Sequence, residues 1–214
     1  MNKGLKGLIL GMILVVPVLI FIFLKVFGVN QFDLPVYYEE GVDTAFTDCE
    51  FQKGLHRIPD FSFPDYEGKV TNSDDLTGKS LIVYFTQNPG DSVDLRVNSG
   101  LARVLGSFEE QGNISVLTIH AKDPRQPVEP FRELAKKYNY GHKAWIIGYA
   151  NPVYTNQLAR CGFIIDFDAA SVNTNNIIAL ADREGKIRGY FNGLDDDDID
   201  RLIVELKILN SNQK

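Results

Sequence analysis

The sequence predicts an α/β domain with a central mixed β-sheet flanked by helices, preceded by one transmembrane helix. Strand-like apolar segments alternate with segments of helical periodicity, and a closing hairpin is followed by a last helix. An uncharged apolar run stands near the N-terminus. The chain has 214 residues, of which 44% are hydrophobic. A domain of this size can bury a core without metal or disulfide staples.

The apolar run begins at Leu8 and, with a single interruption at Lys25, ends at Val29. At about 1.5 Å per helical residue it reaches the roughly 30 Å of a hydrocarbon core. A cleaved signal peptide needs a small-x-small cleavage site and a lipoprotein signal needs a following cysteine, and the sequence offers neither. We therefore expect an uncleaved anchor over residues 1–30.

Charge indicates on which side of the membrane the domain lies. Lys3 and Lys6 precede the apolar run and favour a cytoplasmic N-terminus. We expect a single-pass protein of the cytoplasmic (inner) membrane, with its C-terminal domain periplasmic or otherwise extracytoplasmic. Without the first 30 residues the chain has a net charge near −9, from 19 basic and 28 acidic residues. Such an acidic domain has no basic face for nucleic acid.

After the anchor, residues 31–57 are predicted to be a connector that packs on the domain through its aromatic side chains, and residues 58–214 form the domain. Residues 58–63 alternate apolar and polar, as a half-buried strand does, whereas residues 80–86 form a continuous β-branched and aromatic run typical of a central strand. Strands are predicted over residues 58–63, 70–71, 80–86, 114–120, 144–147, 177–181 and 186–191, and helices over residues 94–110, 129–138, 153–160 and from Asp195 onward.

The order of these elements predicts the topology. Alternating strands and helices imply a partly parallel sheet, and the closing hairpin makes that sheet mixed. This is the thioredoxin-like arrangement, with the first two strands as an N-terminal β-hairpin extension.

Several motifs strengthen that assignment. The segment from Pro59 to Phe63 (PDFSF) is followed by LTGK from Leu76, and the segment from Ala179 to Gly193 reads ALADREGKIRGYFNG. Together with the N-terminal anchor, the combination resembles the SCO/SenC family over about residues 58–209.

The resemblance implies a membrane-anchored copper protein that helps to mature cytochrome c oxidase. Such proteins hold copper with a Cys-x-x-x-Cys pair and a later histidine, because thiolates suit Cu(I) and imidazole supports Cu(II). In this chain the two cysteine positions fall on Asn88 and Ser92, and the histidine position falls near Thr174. An amide and two hydroxyls cannot replace that ligand set, so we expect no copper, no other cofactor and no thiol catalysis at these positions.

The chain has two cysteines, Cys49 and Cys161, and they form no Cys-x-x-Cys motif. Outside the cytoplasm they could form a structural disulfide that ties the connector to the domain. Two unpaired thiols are the alternative, and the sequence leaves the choice open.

Three further groups of polar residues each have an interpretation that requires no functional site. His120 ends a core strand, either as a polar residue at a strand end or as part of a metal site with nearby carboxylates. Asp91 and Asp94, near Arg96, either belong to an ordinary polar loop or could bind a polar group. The acidic run that starts at Asp195 is interpreted as an N-cap and the first turn of the last helix, because it lacks the glycine and terminal glutamate of an EF-hand.

These observations favour a non-enzymatic accessory in respiratory cytochrome oxidase assembly or copper handling, with oxidase subunits or a copper-binding paralogue as protein partners. One alternative is a thioredoxin-like redox or metal-binding protein that uses other residues. Another is a structural domain inside a larger membrane complex.

Overall fold

The computed structural model describes residues 3–27, 34–43, 46, 48–108, 113–123, 125–139, 143–170 and 175–211. The chain divides into two compact units, Met1–Asp33 and Leu34–Lys214.

The first unit contains the helix α1 (Lys3–Phe27), which agrees with the helix predicted from the apolar run. Pro17 lies inside it without ending it. Large apolar side chains such as Met12 and Phe21 are more than half exposed. Where side chains are described, no helix is both long and apolar enough to cross a membrane. Val29, the predicted end of the anchor, lies outside the described residues.

The second unit is built on a five-stranded sheet with the strand order β5-β4-β3-β6-β7. Strands β3, β4 and β5 are parallel, whereas β6 is antiparallel to both β3 and β7, so the sheet is mixed as predicted. A separate hairpin, β1–β2, precedes it. The strands are β1 (Ser62–Pro64), β2 (Val70–Asn72), β3 (Ser80–Thr86), β4 (Ile114–Ala121), β5 (Trp145–Ala150), β6 (Ile177–Ala181) and β7 (Ile187–Asn192).

Helices cover both faces of the sheet. Apolar side chains of α2, α3 and α5 pack on one face, including Leu101, Ala135 and Leu202. The hairpin and a π-helical segment, Leu158–Gly162, pack on the other face. All seven residues of β3 are buried, as the continuous run predicts for a central strand. The helices are α2 (Ser92–Gly106), α3 (Glu129–Asn139), α4 (Pro152–Gln157) and α5 (Asp196–Ser211).

Some predicted boundaries are wrong. Strand β1 starts at Ser62 rather than at residue 58, because the backbone of Ile58 pairs elsewhere and donates to the carbonyl of Gly185 at 2.9 Å. Helix α2 starts at Ser92, two residues earlier than predicted, and ends at Gly106 rather than at residue 110. The predicted helix over residues 153–160 is instead α4 followed by the π-helical segment. Strand β5 starts at Trp145 and continues to Ala150.

The connector is fastened to the domain by hydrogen bonds and a covalent bond. The backbone N–H of Tyr37 donates to the carbonyl of Ile187 at 2.9 Å. Cys49 and Cys161 form a disulfide, with their Cα atoms 5.3 Å apart. Of the two alternatives that the sequence leaves open, the structure shows the bonded one.

Candidate functional site

The loop between β3 and α2 occupies the carboxyl edge of the parallel strands. Strand β3 has β4 on one side and β6 on the other, so the loop leaves the sheet where the strand order reverses. Open α/β sheets bind their ligands at such a switch point. Asn88 lies exposed in this loop, and Ser92 lies exposed as the first residue of α2.

Acidic side chains fix the backbone of this loop. Asp91 is the N-cap of α2, and its Oδ1 accepts a hydrogen bond from the N–H of Asp94 at 2.7 Å. Gly90 has a φ of +90°, which favours glycine, and its N–H donates to Oδ2 of Asp94 at 2.7 Å. These two hydrogen bonds give the backbone of the loop a defined shape.

A chain of buried hydrogen bonds continues from the loop into the sheet. Asp94 is fully buried, and its Oδ1 accepts from Nδ2 of Asn98 at 3.0 Å. Oγ1 of Thr118 donates to Oδ1 of Asn98 at 3.2 Å, and the indole N–H of Trp145 donates to that hydroxyl at 3.1 Å. We call Asp94, Asn98, Thr118 and Trp145 the buried polar layer. It connects the loop through β4 to β5, and a satisfied buried network of this kind favours one arrangement of its elements.

The side chains of Asp91, Asp94 and Arg96 do not act together in one polar site. Asp91 and Asp94 hold the loop backbone, and Arg96 instead donates from Nη2 to Oδ2 of Asp196 at 2.7 Å. Asp196 begins α5 directly after Asp195, which agrees with the interpretation of this acidic run as a helix start.

His120 lies at the end of β4 next to this layer. Its Nδ1 is 2.6 Å from the hydroxyl of Tyr66, and its side chain is fully buried. Burial lowers the pKa of His120 from 6.5 to about 3, so the imidazole is neutral. The pKa of Tyr66 is raised above its ordinary value, first by burial and then by Tyr149 and Asp94. The protonated phenol is therefore the donor to Nδ1, and the imidazole proton is assigned to Nε2.

Two polar atoms at this edge have unused hydrogen-bonding capacity. Neither Nε2 of His120 nor Oγ1 of Thr86 has a partner among the described residues, and both atoms are buried. The two residues are paired in the β3–β4 register, so their side chains lie side by side on the same face of the sheet. Tyr66 was not predicted as part of this site, because the segment around it has the composition of a turn.

The donor set at the loop does not fit copper. Asn88 and Ser92 supply an amide and a hydroxyl, and both cysteines are consumed in their disulfide. Thr174 lies outside the described residues. In the described part of the chain, no group of three or more His, Cys, Asp or Glu side chains is placed to hold a metal ion.

A comparison with protein-family models finds no match, and a comparison with curated proteins finds none either. Solved structures do match. A SCO1/SenC family lipoprotein from Bacillus anthracis str. Ames has a TM-score of 0.61 at 16% identity, over 72% of this chain and 95% of its own. The chain has the fold of the SCO/SenC proteins. The resemblance predicted from the sequence is thus confirmed at the level of the fold.

Two further SCO structures share this fold. BsSco, a member of the Sco family of cytochrome c oxidase assembly proteins with a disulfide switch, has a TM-score of 0.63 at 14% identity, over 75% of this chain and 96% of its own. Arabidopsis thaliana ScoI with copper bound has a TM-score of 0.56 at 18% identity, over 72% of this chain and 98% of its own. The matched part of this chain spans nearly the whole length of these two structures.

Proposed function

We propose that this protein is a membrane-anchored, extracytoplasmic accessory of respiratory cytochrome oxidase assembly or copper handling, and that it acts through protein contacts rather than catalysis. The observation that carries the proposal is a SCO-type fold whose β3–α2 loop has Asn88 and Ser92 at the two thiol positions. A domain that keeps this scaffold without soft ligands is suited to binding a partner, such as an oxidase subunit or a copper-binding paralogue.

Two features support the location. The disulfide between Cys49 and Cys161 suits an oxidising compartment outside the cytoplasm. The first unit is a helix whose described apolar side chains are exposed, and Lys3 and Lys6 stand at its start. Exposed apolar side chains of this size favour burial in a lipid or protein environment.

The alternative, a redox or metal-binding protein that uses other residues, is favoured by one observation. Nε2 of His120 is buried at the carboxyl edge of the sheet with unused hydrogen-bonding capacity. A protein of that kind would use His120 rather than Asn88 or Ser92.

A copper titration distinguishes the two functions. The full chain, purified in neutral detergent, is titrated with Cu(I) and Cu(II) against a competing chelator. We expect no stoichiometric binding by the wild type, and a gain of Cu(I) binding in the Asn88→Cys, Ser92→Cys variant, because two thiolates are restored. The matched control is Asn88→Ala, Ser92→Ala, which should bind no more copper than the wild type.

Two results would contradict the proposal. Tight wild-type binding that is lost in Asn88→Ala, Ser92→Ala would make the loop a copper site after all. Tight binding that survives those changes and is lost in His120→Gln would support the alternative.

A cellular test addresses the partner. In cells without the gene, we expect less assembled oxidase, measured from haem absorbance in membranes, and full rescue by Asn88→Ala, Ser92→Ala. Crosslinks from this chain to oxidase subunits or to a copper protein support the accessory function. Crosslinks confined to a different, permanent membrane complex would instead make the domain a structural subunit.

A further inference from the structure

A groove of about 950 Å³ runs along the edge strand β5, away from the β3–α2 loop. Its floor includes Trp145, Ile146 and Ile147, which are the first three residues of β5. The β1–β2 hairpin and α3 supply side chains to its lining. Strand β5 is at the edge of the sheet. The hairpin contacts β5 through a bridge between Asp65 and Gly148, which is the fourth of the six residues of β5.

The groove is cationic although the chain is acidic, with a formal net charge of −6. Basic side chains outnumber acidic ones along its lining. The basic residues are Lys69, Lys79, Arg132, Lys136 and Lys143, and the acidic residues are Asp65, Glu67 and Asp75.

Two of the three acidic side chains are already engaged by the backbone. Oδ1 of Asp65 accepts from the N–H groups of Glu67 and Lys69, each at 2.9 Å. Oδ2 of Asp75 accepts from the N–H of Asn72 at 3.0 Å. These hydrogen bonds occupy one oxygen of each of the two carboxylates.

The basic side chains are less engaged. Arg132 donates from Nε to the carbonyl of Tyr66, and Lys136 pairs with Glu133 at 3.1 Å. By contrast, Lys69, Lys79 and Lys143 form no ion pair with any described residue. We refer to these three as the groove lysines.

The groove lysines lie at two levels of the sheet rather than at one point. Lys143 lies two residues before β5 and Lys79 one residue before β3, so both stand at the amino edge of the parallel strands. The carbonyl of Lys69 accepts a hydrogen bond from the N–H of Asp65 at 2.8 Å, and Asp65 forms the bridge to Gly148 of β5. From Lys143 to Gly148 an extended strand covers about 16 Å. An extended acidic peptide matches this spacing, whereas a single small anion needs its cations to converge.

We propose that this groove binds an extended acidic segment of a protein partner, with the groove lysines as its charge contacts. Charge complementarity sets the class of partner, and the length of β5 sets the extended conformation. The groove contains neither Asn88 nor Ser92, so this proposal and the proposed function can fail separately.

The test uses the full chain in neutral detergent and a fluorescein-labelled octaglutamate peptide, with binding measured by fluorescence anisotropy at low salt. The groove variant is Lys69→Glu, Lys79→Glu, Lys143→Glu. The charge-matched control is Lys53→Glu, Lys137→Glu, Lys207→Glu, which changes three exposed lysines outside the groove. We expect the groove variant to bind about tenfold more weakly or worse, and the control to stay within about twofold of the wild type.

A second variant, Lys69→Gln, Lys79→Gln, Lys143→Gln, removes the charges without reversing them and should give an intermediate loss. It also keeps the test valid if charge reversal impairs folding, which circular dichroism reports. Equal loss in the groove variant and the control would overturn the proposal, because net charge alone would then explain binding. Absence of peptide binding would overturn it, as would tighter binding of phosphatidylglycerol vesicles through the same lysines.

Discussion

The β3–α2 loop and the buried polar layer beneath it lie next to each other and differ in what holds them. The side chains of Asn88 and Ser92 are exposed, whereas Asp94, Asn98 and Thr118 are buried and joined by hydrogen bonds. Asp94, a member of the layer, accepts a hydrogen bond from the loop backbone at Gly90 and so joins the two regions. Side chains at the loop surface can therefore differ from a copper ligand set while the scaffold stays intact.

The two regions are expected to respond differently to substitution. An exposed substitution away from special backbone positions changes stability by about 0.5 kcal/mol or less, whereas a buried donor left without its acceptor costs about 1–3 kcal/mol. Stability should therefore be sensitive to the layer and insensitive to the loop side chains. Substitutions in each region test that contrast.

The largest effect is expected from Asp94→Ala. This change removes the acceptor of the Gly90 N–H and one of the two acceptors of the Asn98 amide, which keeps only the carbonyl of residue 94. With the buried carboxylate gone as well, we expect a loss of about 3 kcal/mol in the free energy of unfolding. Urea unfolding followed by the fluorescence of Trp145, the one tryptophan of the chain, measures it. The control is Asp196→Ala at an exposed carboxylate, which should cost under about 1 kcal/mol. Similar losses for the two variants would remove the distinction.

A second effect depends on pH and concerns His120. Its pKa is about 3 in the folded protein and 6.5 in the unfolded chain, so below pH 6.5 the unfolded chain takes up a proton that the folded protein does not. Stability is therefore greatest above pH 6.5 and falls as the pH is lowered. Between pH 6.5 and pH 4 the loss from this residue is about 3 kcal/mol.

His120→Gln isolates that contribution, because glutamine does not titrate and can still accept a hydrogen bond from Tyr66. Urea unfolding of both proteins at several pH values should show the wild type losing about 3 kcal/mol more than the variant. Parallel stability curves would show that His120 does not titrate on unfolding, and hence that it is not a buried neutral group.

The sequence predicts the strands and helices of this molecule better than its long-range polar contacts. Continuous apolar runs and helical spacing depend on local neighbours, which is why β3 was predicted with its observed bounds. The partner of His120 could not be predicted, because Tyr66 lies 54 residues away in a segment with turn composition. Arg96 was associated with Asp91 and Asp94, its neighbours in sequence, whereas its actual partner Asp196 is 100 residues away.

The smallest effect is expected from Ser92→Ala. The side chain of Ser92 is exposed, and the backbone of the loop is held by Asp91 and Asp94, so the free energy of unfolding should change by less than about 0.5 kcal/mol. The same urea unfolding experiment measures it beside Asp94→Ala. A loss above about 1 kcal/mol would mean that the Ser92 side chain helps to hold the loop.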